Sequence, residues 1–355
     1  MTESPSERTA SSILPPAAPE DGGGEDAGGG RAARFFRRLI HERVPYGIDH
    51  LMAPLLRPSD TLVLSGYWRS GTTWLHESLA RLMAAKTVFE PFHFLVPDVH
   101  EIFSDQGLSG RPAPFLELYM PFSGEPLRPP LHGVFKRALT ADIPGRIVRL
   151  VRKGPAESLR RRVVVKFVRA HLCLRAAQKT FGMPVIHLYR DPRAVVGSIK
   201  RLNWSWLFEH LFLAEQLLEP ADGRALYFDR WRAEILDYDR RDTISRIVAH
   251  WALTEMFLLD SYRTEPGARI AFLRYEDLCR APERIPEILN GLMVPHRSRN
   301  DFRALDADSF STSSSRRGAS MSDRIGSWKE DLTSSEIARI EAIAEQFGFA
   351  DRLRS

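Results

Sequence analysis

The residues from Thr61 to Ala85 constrain this chain most. Thr61-Leu62-Val63-Leu64 is a short apolar run of the kind that forms a buried strand. Ser65 to Gly71 follow as a loop, with glycines at both Gly66 and Gly71. From Thr72 to Ala85 the apolar positions Leu75, Leu79 and Leu82 recur at helical spacing. A strand that enters a helix through a tight glycine turn gathers loop N–H groups and the helix N-terminus at one point. Such a point holds anions, phosphate above all.

Other strand and helix patterns follow. Val163-Val164-Val165 predicts a strand and 171–181 a helix; Val185 to Tyr189 predicts a strand and 193–201 a helix. Helical patterns cover 241–263 and 334–347, with a strand candidate at Ile270 to Leu273. Strands alternating with helices predict an α/β fold with a mainly parallel sheet. The chain has 355 residues, 43% hydrophobic and 27% charged, which excludes collagen-like, coiled-coil and wholly disordered classes. No stretch of 18 apolar residues offers a membrane span, and residues 1–30 lack a signal-peptide core. Residues 1–33 are expected to be a disordered tail, rich in Ser, Pro, Gly and acids, and 34–355 one domain. Within it, 34–43 reads as a short basic amphipathic helix docked on the body. The two cysteines, Cys173 and Cys279, make no disulfide framework, and the expected setting is reducing and cytoplasmic. The net charge of +5 favours anionic ligands or nucleic acid and chooses neither.

Gly66-Tyr67-Trp68-Arg69-Ser70-Gly71-Thr72-Thr73 has the P-loop spacing G-x-x-x-x-G-K-[ST], but Thr72 stands where the triphosphate-reaching Lys belongs. That departure argues against an ATPase or GTPase, and Arg69 becomes the available cation. By itself the string also describes an ordinary turn capped by Ser70 and Thr72. The later string Tyr189-Arg190-Asp191-Pro192-Arg193 sets Arg190 at a strand's C-terminal end, where ligands of open α/β sheets bind. Asp191 suits a helix cap and Pro192 its first turn. Ser198 lies about two turns further on. By itself this string describes a surface turn.

Together the two strings resemble the cofactor motifs of the PAPS-dependent sulfotransferases (PAPS is 3′-phosphoadenylyl sulfate). The wording is closest to the carbohydrate and bacterial group. Arg274-Tyr275-Glu276-Asp277-Leu278, Arg324-Ile325-Gly326-Ser327-Trp328-Lys329 and Lys166-Phe167-Val168-Arg169 resemble further segments of that family, and the resemblance spans about residues 60–350. It implies a P-loop-containing nucleoside-triphosphate-hydrolase-like three-layer α/β fold. It further implies that Arg69, Ser70, Gly71, Thr72, Thr73 and Trp74 hold the 5′-phosphosulfate, and that Arg190, Ser198, Arg324 and Gly326 serve the 3′-phosphate. Trp68 or Trp74 packs either on the adenine or in the core. PAPS is the implied co-substrate, and no metal is implied; the eleven histidines are scattered. Arg69 is the candidate for stabilising charge on the leaving phosphate oxygen.

The resemblance also implies a base for the acceptor hydroxyl. The cytosolic phenol/steroid group has a His two residues after a strand-end Lys, and Val168 stands there in this chain. Phe89-Glu90-Pro91-Phe92-His93 instead resembles a segment of the carbohydrate group, so Glu90 is the expected base and His93 the second choice. His171 reads as a helix-start residue. The expected reaction is direct in-line transfer of the sulfuryl group from PAPS to a hydroxyl of a carbohydrate or glycosylated small metabolite. No nucleic acid or membrane span is expected, and the sequence sets no oligomeric state. The rival readings are a P-loop small-molecule kinase and a non-catalytic nucleic-acid-binding protein. Residues 146–169 carry nine basic residues and one acid, Glu157, and read as a solvated face; attraction of an anionic acceptor is the sharper reading. Residues 202–218 read as a core helix, 92–160 as irregular substrate-defining insertions, and 303–323 as a mobile loop.

Overall fold

The computed structural model describes residues 43–152, 154–296 and 323–353. The expectations for the tail 1–33, the helix at 34–42 and the loop at 303–322 lie outside the described residues. Five strands form one wholly parallel sheet: β1 (Leu62–Ser65), β2 (Lys86–Phe89), β3 (Val163–Phe167), β4 (Val185–Tyr189) and β5 (Ile270–Arg274), in the order β2-β3-β1-β4-β5. The central strand is thus the first in sequence. Its Val63 pairs in register with Val165 on one side and Val185 on the other.

The sheet is covered on both faces, as a parallel sheet must be. Alternate side chains of each strand point to opposite faces. Leu62, Leu64, Val164, Ile186 and Leu188 pack against α2 (Thr72–Met83; α1 is Val44–Met52) through Leu75, Leu79 and Leu82. Val63, Val165 and Val185 face the other way, onto Phe135 and Leu139 of α4 (Pro129–Leu139; α3 is Ala113–Leu118) and Leu174 and Ala177 of α5 (Leu174–Phe181). Beyond the sheet's carboxyl edge, α6 (Pro192–Arg201), α7 (Thr243–Tyr262) and α9 (Ser334–Gln346; α8 is Tyr275–Arg280) share a third cluster through Val195, Trp251 and Ile340. Each such side chain, fully buried, stabilises by about 1.5–3 kcal/mol.

Three sequence expectations change. The connection from α2 to Glu90 is a strand, β2, which the sequence reading passed over. Residues 202–218 form two short helices, Ser205–Phe208 and Leu213–Leu217, preceded by Asn203 at φ +54°. The segment 92–160 holds helices that bury Phe103, Phe115, Phe135 and Leu139 in the core, so much of it is scaffold.

Candidate functional site

The loop between β1 and α2 is built by close approach. A Cβ on Gly66 would fall 2.4 Å from the Leu188 carbonyl oxygen, so β1 can turn there only without a side chain. Gly71 has φ +86°, and a Cβ on it would stand 2.4 Å from the Tyr275 ring. Arg69 also takes the left-handed conformation, at φ 64°, which costs roughly 1–2 kcal/mol in an L-residue. This backbone aims Arg69 across to the second motif: its Nε donates to Ser198 Oγ at 3.0 Å, and Arg190 Nη1 donates to the Arg69 carbonyl at 3.0 Å. The two strings of the sequence are therefore one site.

Several arginines meet at the site. Burial and the neighbouring Arg190 and Arg201, only partly offset by Glu90, lower the Arg69 pKa to about 10. The Arg190 guanidinium lies 4.4 Å over the Tyr275 ring, and the charge of Arg324 reaches that same phenol. Asp191 caps α6 by accepting from the Arg193 N–H at 2.9 Å. Gly326 opens the short turn Ser327–Glu330, whose Trp328 packs on Arg193, 4.4 Å from its guanidinium carbon to the ring. Ser70 Oγ and Arg190 Nε are buried and make no hydrogen bond. Orphaned buried donors beside clustered arginines fit a bound phosphate. Thr72 and Thr73 are buried at the start of α2. The ring of Trp74 is buried against Tyr275 at 6.0 Å, and that of Trp68 against Tyr67 at 4.9 Å. Both indoles sit in the core.

On the other side of the loop lies a second constellation. Lys166, the penultimate residue of β3, is 2% exposed. Its Nζ donates to Thr73 Oγ1 at 2.9 Å and to Glu90 Oε1 at 2.8 Å. Arg169 Nη1 donates to Glu90 Oε2 at 3.0 Å. Burial alone would raise the Glu90 pKa, but Lys166 and Arg169 outweigh it and bring the carboxyl down to about 2. Burial lowers that of Lys166, against the pull of Glu90. His93 Nδ1 accepts from the Leu95 N–H at 3.2 Å, and its Nε2 lies 3.4 Å from Glu117 Oε2. Both ring nitrogens are thereby turned to protein groups. Burial, with Arg169 and Lys166 near, lowers the His93 pKa to about 3.

Lys166 and Arg169 entered the sequence reading only as a resembling strand end, and Glu117 did not enter it. The signal was present in Lys166-Phe167-Val168-Arg169, a cation at the carboxyl end of a central strand. Nothing in the sequence distinguished Glu117, because its position depends on how 92–160 folds.

The scattered histidines converge in part. Among the described residues, His171, His187 and Glu255 are buried with three donor atoms within 4.8 Å of one another. His171 lies ahead of α5 and faces Glu255. The Nδ1 atoms of His171 and His187 make no hydrogen bond. The Glu255 carboxylate stands between the two imidazoles, at 3.0 Å from His187 and 3.4 Å from His171.

Residues 59–347 match the family model described as the sulfotransferase domain. No curated protein matches the chain by sequence. Among solved structures, the sulfotransferase domain from the curacin biosynthetic pathway is 15% identical, with 82% of this chain and 99% of that one covered and a TM-score of 0.41. Mouse sulfotransferase SULT7A1, complexed with PAP, is 13% identical over 86% of this chain and 91% of its own, at a TM-score of 0.40. Sulfotransferase STF1 from Mycobacterium tuberculosis H37Rv is 15% identical over 91% and 87%, at 0.40. No helix among the described residues is long and apolar enough to cross a membrane.

Proposed function

The chain belongs to the sulfotransferase family, and from that premise we propose that it moves the sulfuryl group of PAPS onto the hydroxyl of a small acceptor, releasing adenosine 3′,5′-bisphosphate. The observation that carries this reading is Lys166 Nζ, which joins the anion loop at Thr73 to the carboxylate of Glu90. PAPS supplies the activated sulfur; the chain supplies charge, position and a proton acceptor. The loop N–H groups from Ser70 to Trp74 and the hydroxyls of Ser70, Thr72 and Thr73 hold the 5′-phosphosulfate. Arg190, Ser198 and Arg324 hold the 3′-phosphate, and Gly326 lends backbone.

In the transfer, the acceptor oxygen forms a bond to sulfur, the bond from sulfur to the 5′-phosphate oxygen breaks, and the acceptor proton passes to Glu90. Charge that grows on the leaving oxygen is met by Lys166 and Arg69. Glu90 clamped by two cations is a weak base. When Lys166 turns to the leaving oxygen, Glu90 loses one of them and its basicity rises. This supports Glu90 over His93, whose nitrogens both face protein groups. A carbohydrate or glycosylated metabolite remains the proposed acceptor class, on the motif wording alone, and the cytoplasm the proposed setting.

The test is thermal stability with adenosine 3′,5′-bisphosphate and with ATP. A ligand that binds only the folded state stabilises by about 2.7 kcal/mol at 100 times Kd. The bisphosphate should raise Tm, ATP should not, and Arg190→Ala should abolish the shift. No shift at millimolar bisphosphate would refute the reading.

A further inference from the structure

Two carboxylates meet the guanidinium of Arg169. Glu90 Oε2 accepts from Nη1 at 3.0 Å, and Glu117 Oε1 accepts from Nη2. Arg169 Nε donates to the backbone carbonyl of Glu117 itself, at 2.5 Å. Arg169 is 1% exposed and lies 5.6 Å over the Trp68 ring, so it is fixed between the two acids. A fixed cation shared by two carboxylates couples them: charge on one weakens the cation's hold on the other. The charged and titratable groups that face Glu117 are Arg169, Glu90 and His93. Glu117 Oε2, buried and without a hydrogen bond, is turned toward His93. We infer that Glu117 is a positioning residue that sets the basicity of Glu90 through Arg169. The inference rests on the reading of Glu90 as the base.

Its consequence is a dependence on pH. Burial holds Glu117 neutral, Arg169 opposes this and Glu90 adds to it; the carboxyl is pushed up to about 7. With Glu117 protonated, Arg169 is left to Glu90 and the base is weak. As Glu117 loses its proton, it draws on Arg169 and Glu90 gains basicity. Transfer should therefore accelerate as pH rises through about 7, a region far above the titration of Glu90 itself, at about 2.

The experiment needs no identified acceptor. Release of inorganic sulfate from radiolabelled PAPS, with water as acceptor, is followed in single turnovers across pH, beside infrared difference spectra of the protonated-carboxyl stretch. Wild type should show a rate limb near 7 and a carboxyl band that titrates with it. Glu117→Gln should lose the band and run at the slow acid-side rate at every pH. Glu117→Asp should regain a limb. The bisphosphate Tm shift checks that each variant keeps its fold and its nucleotide site. A flat wild-type profile, a limb that survives in Glu117→Gln, or an equal rate loss at every pH would overturn the inference. Glu90→Gln turning over at the wild-type rate would sink the base assignment instead, and the infrared band would still report on Glu117.

Discussion

At the scale of single residues, the site is a contest for cations. Glu90 is held by Lys166 and Arg169, while Arg69 donates from Nε to Ser198. Replacing Glu90 by Gln should lower kcat about 10²–10⁴-fold, the usual worth of a general base, and leave the bisphosphate Tm shift in place. Loss of that shift would assign Glu90 to binding. Gly71 gives a second case. Its φ of +86° and the Tyr275 ring 2.4 Å from any Cβ leave no room for alanine. Gly71→Ala should cost at least about 2 kcal/mol and weaken bisphosphate binding, read from urea midpoints and the Tm shift. Both the glycine and Arg190 were legible in the sequence, because local loop geometry and a strand end dictate residue type. Lys166 was half legible, and Glu117 was not.

At the scale of elements, the basic run 146–169 changes meaning. Its sequence suggests a solvated face or an anion lure. Arg149 and Arg152, with Lys86 from β2, instead converge on the buried Asp49 of α1, at 3.0, 2.6 and 3.1 Å. Arg160 donates to the Ala85 carbonyl and Arg162 to that of Met83, where α2 ends. These cations fasten α1, α2 and the sheet edge. Asp49→Asn would leave them without a counter-charge in the interior, and breaking such a cluster costs about 3–5 kcal/mol. The urea midpoint should fall accordingly while the bisphosphate still binds. A loss under about 1 kcal/mol would mean that water reaches the cluster. The strand β2 was missed for the same reason: Lys86 opens it, and a buried lysine reads as a surface residue until its partners are known.

At the scale of the whole molecule, burial of imidazoles sets the response to acid. His76, His93 and His250 are each lowered from 6.5 to about 3, with burial the largest cause. The unfolded chain takes up these protons first, so stability falls as pH drops below 6.5. Glu117, raised from 4.5 to about 7, acts in the opposite sense and offsets about one proton between those values. Three imidazoles less one carboxyl leave about two protons, so the net slope is shallow just below neutrality and should approach about 3 kcal/mol per pH unit between about 5.5 and 4.5. Below 4.5 the lowered carboxyls of Glu90 and Glu255 add to the loss. Urea midpoints measured stepwise from neutral to mildly acidic pH test this, and a flat series would mean that these rings are hydrated in solution. The sequence by itself determined the parallel α/β core, the glycine turn from β1 into α2, and Arg190 at the end of β4 ahead of the Asp191 cap. Each depends on period, turn chemistry or a short fixed spacing, which neighbouring residues set. Only the tertiary structure decided that Arg69 reaches Ser198, that Lys166 ties Thr73 to Glu90, and that Arg169 joins Glu90 to Glu117. Those contacts close loops of 52 to 129 residues, and what closes them is burial of cations against carboxylates and hydroxyls brought from distant segments, which no local pattern records.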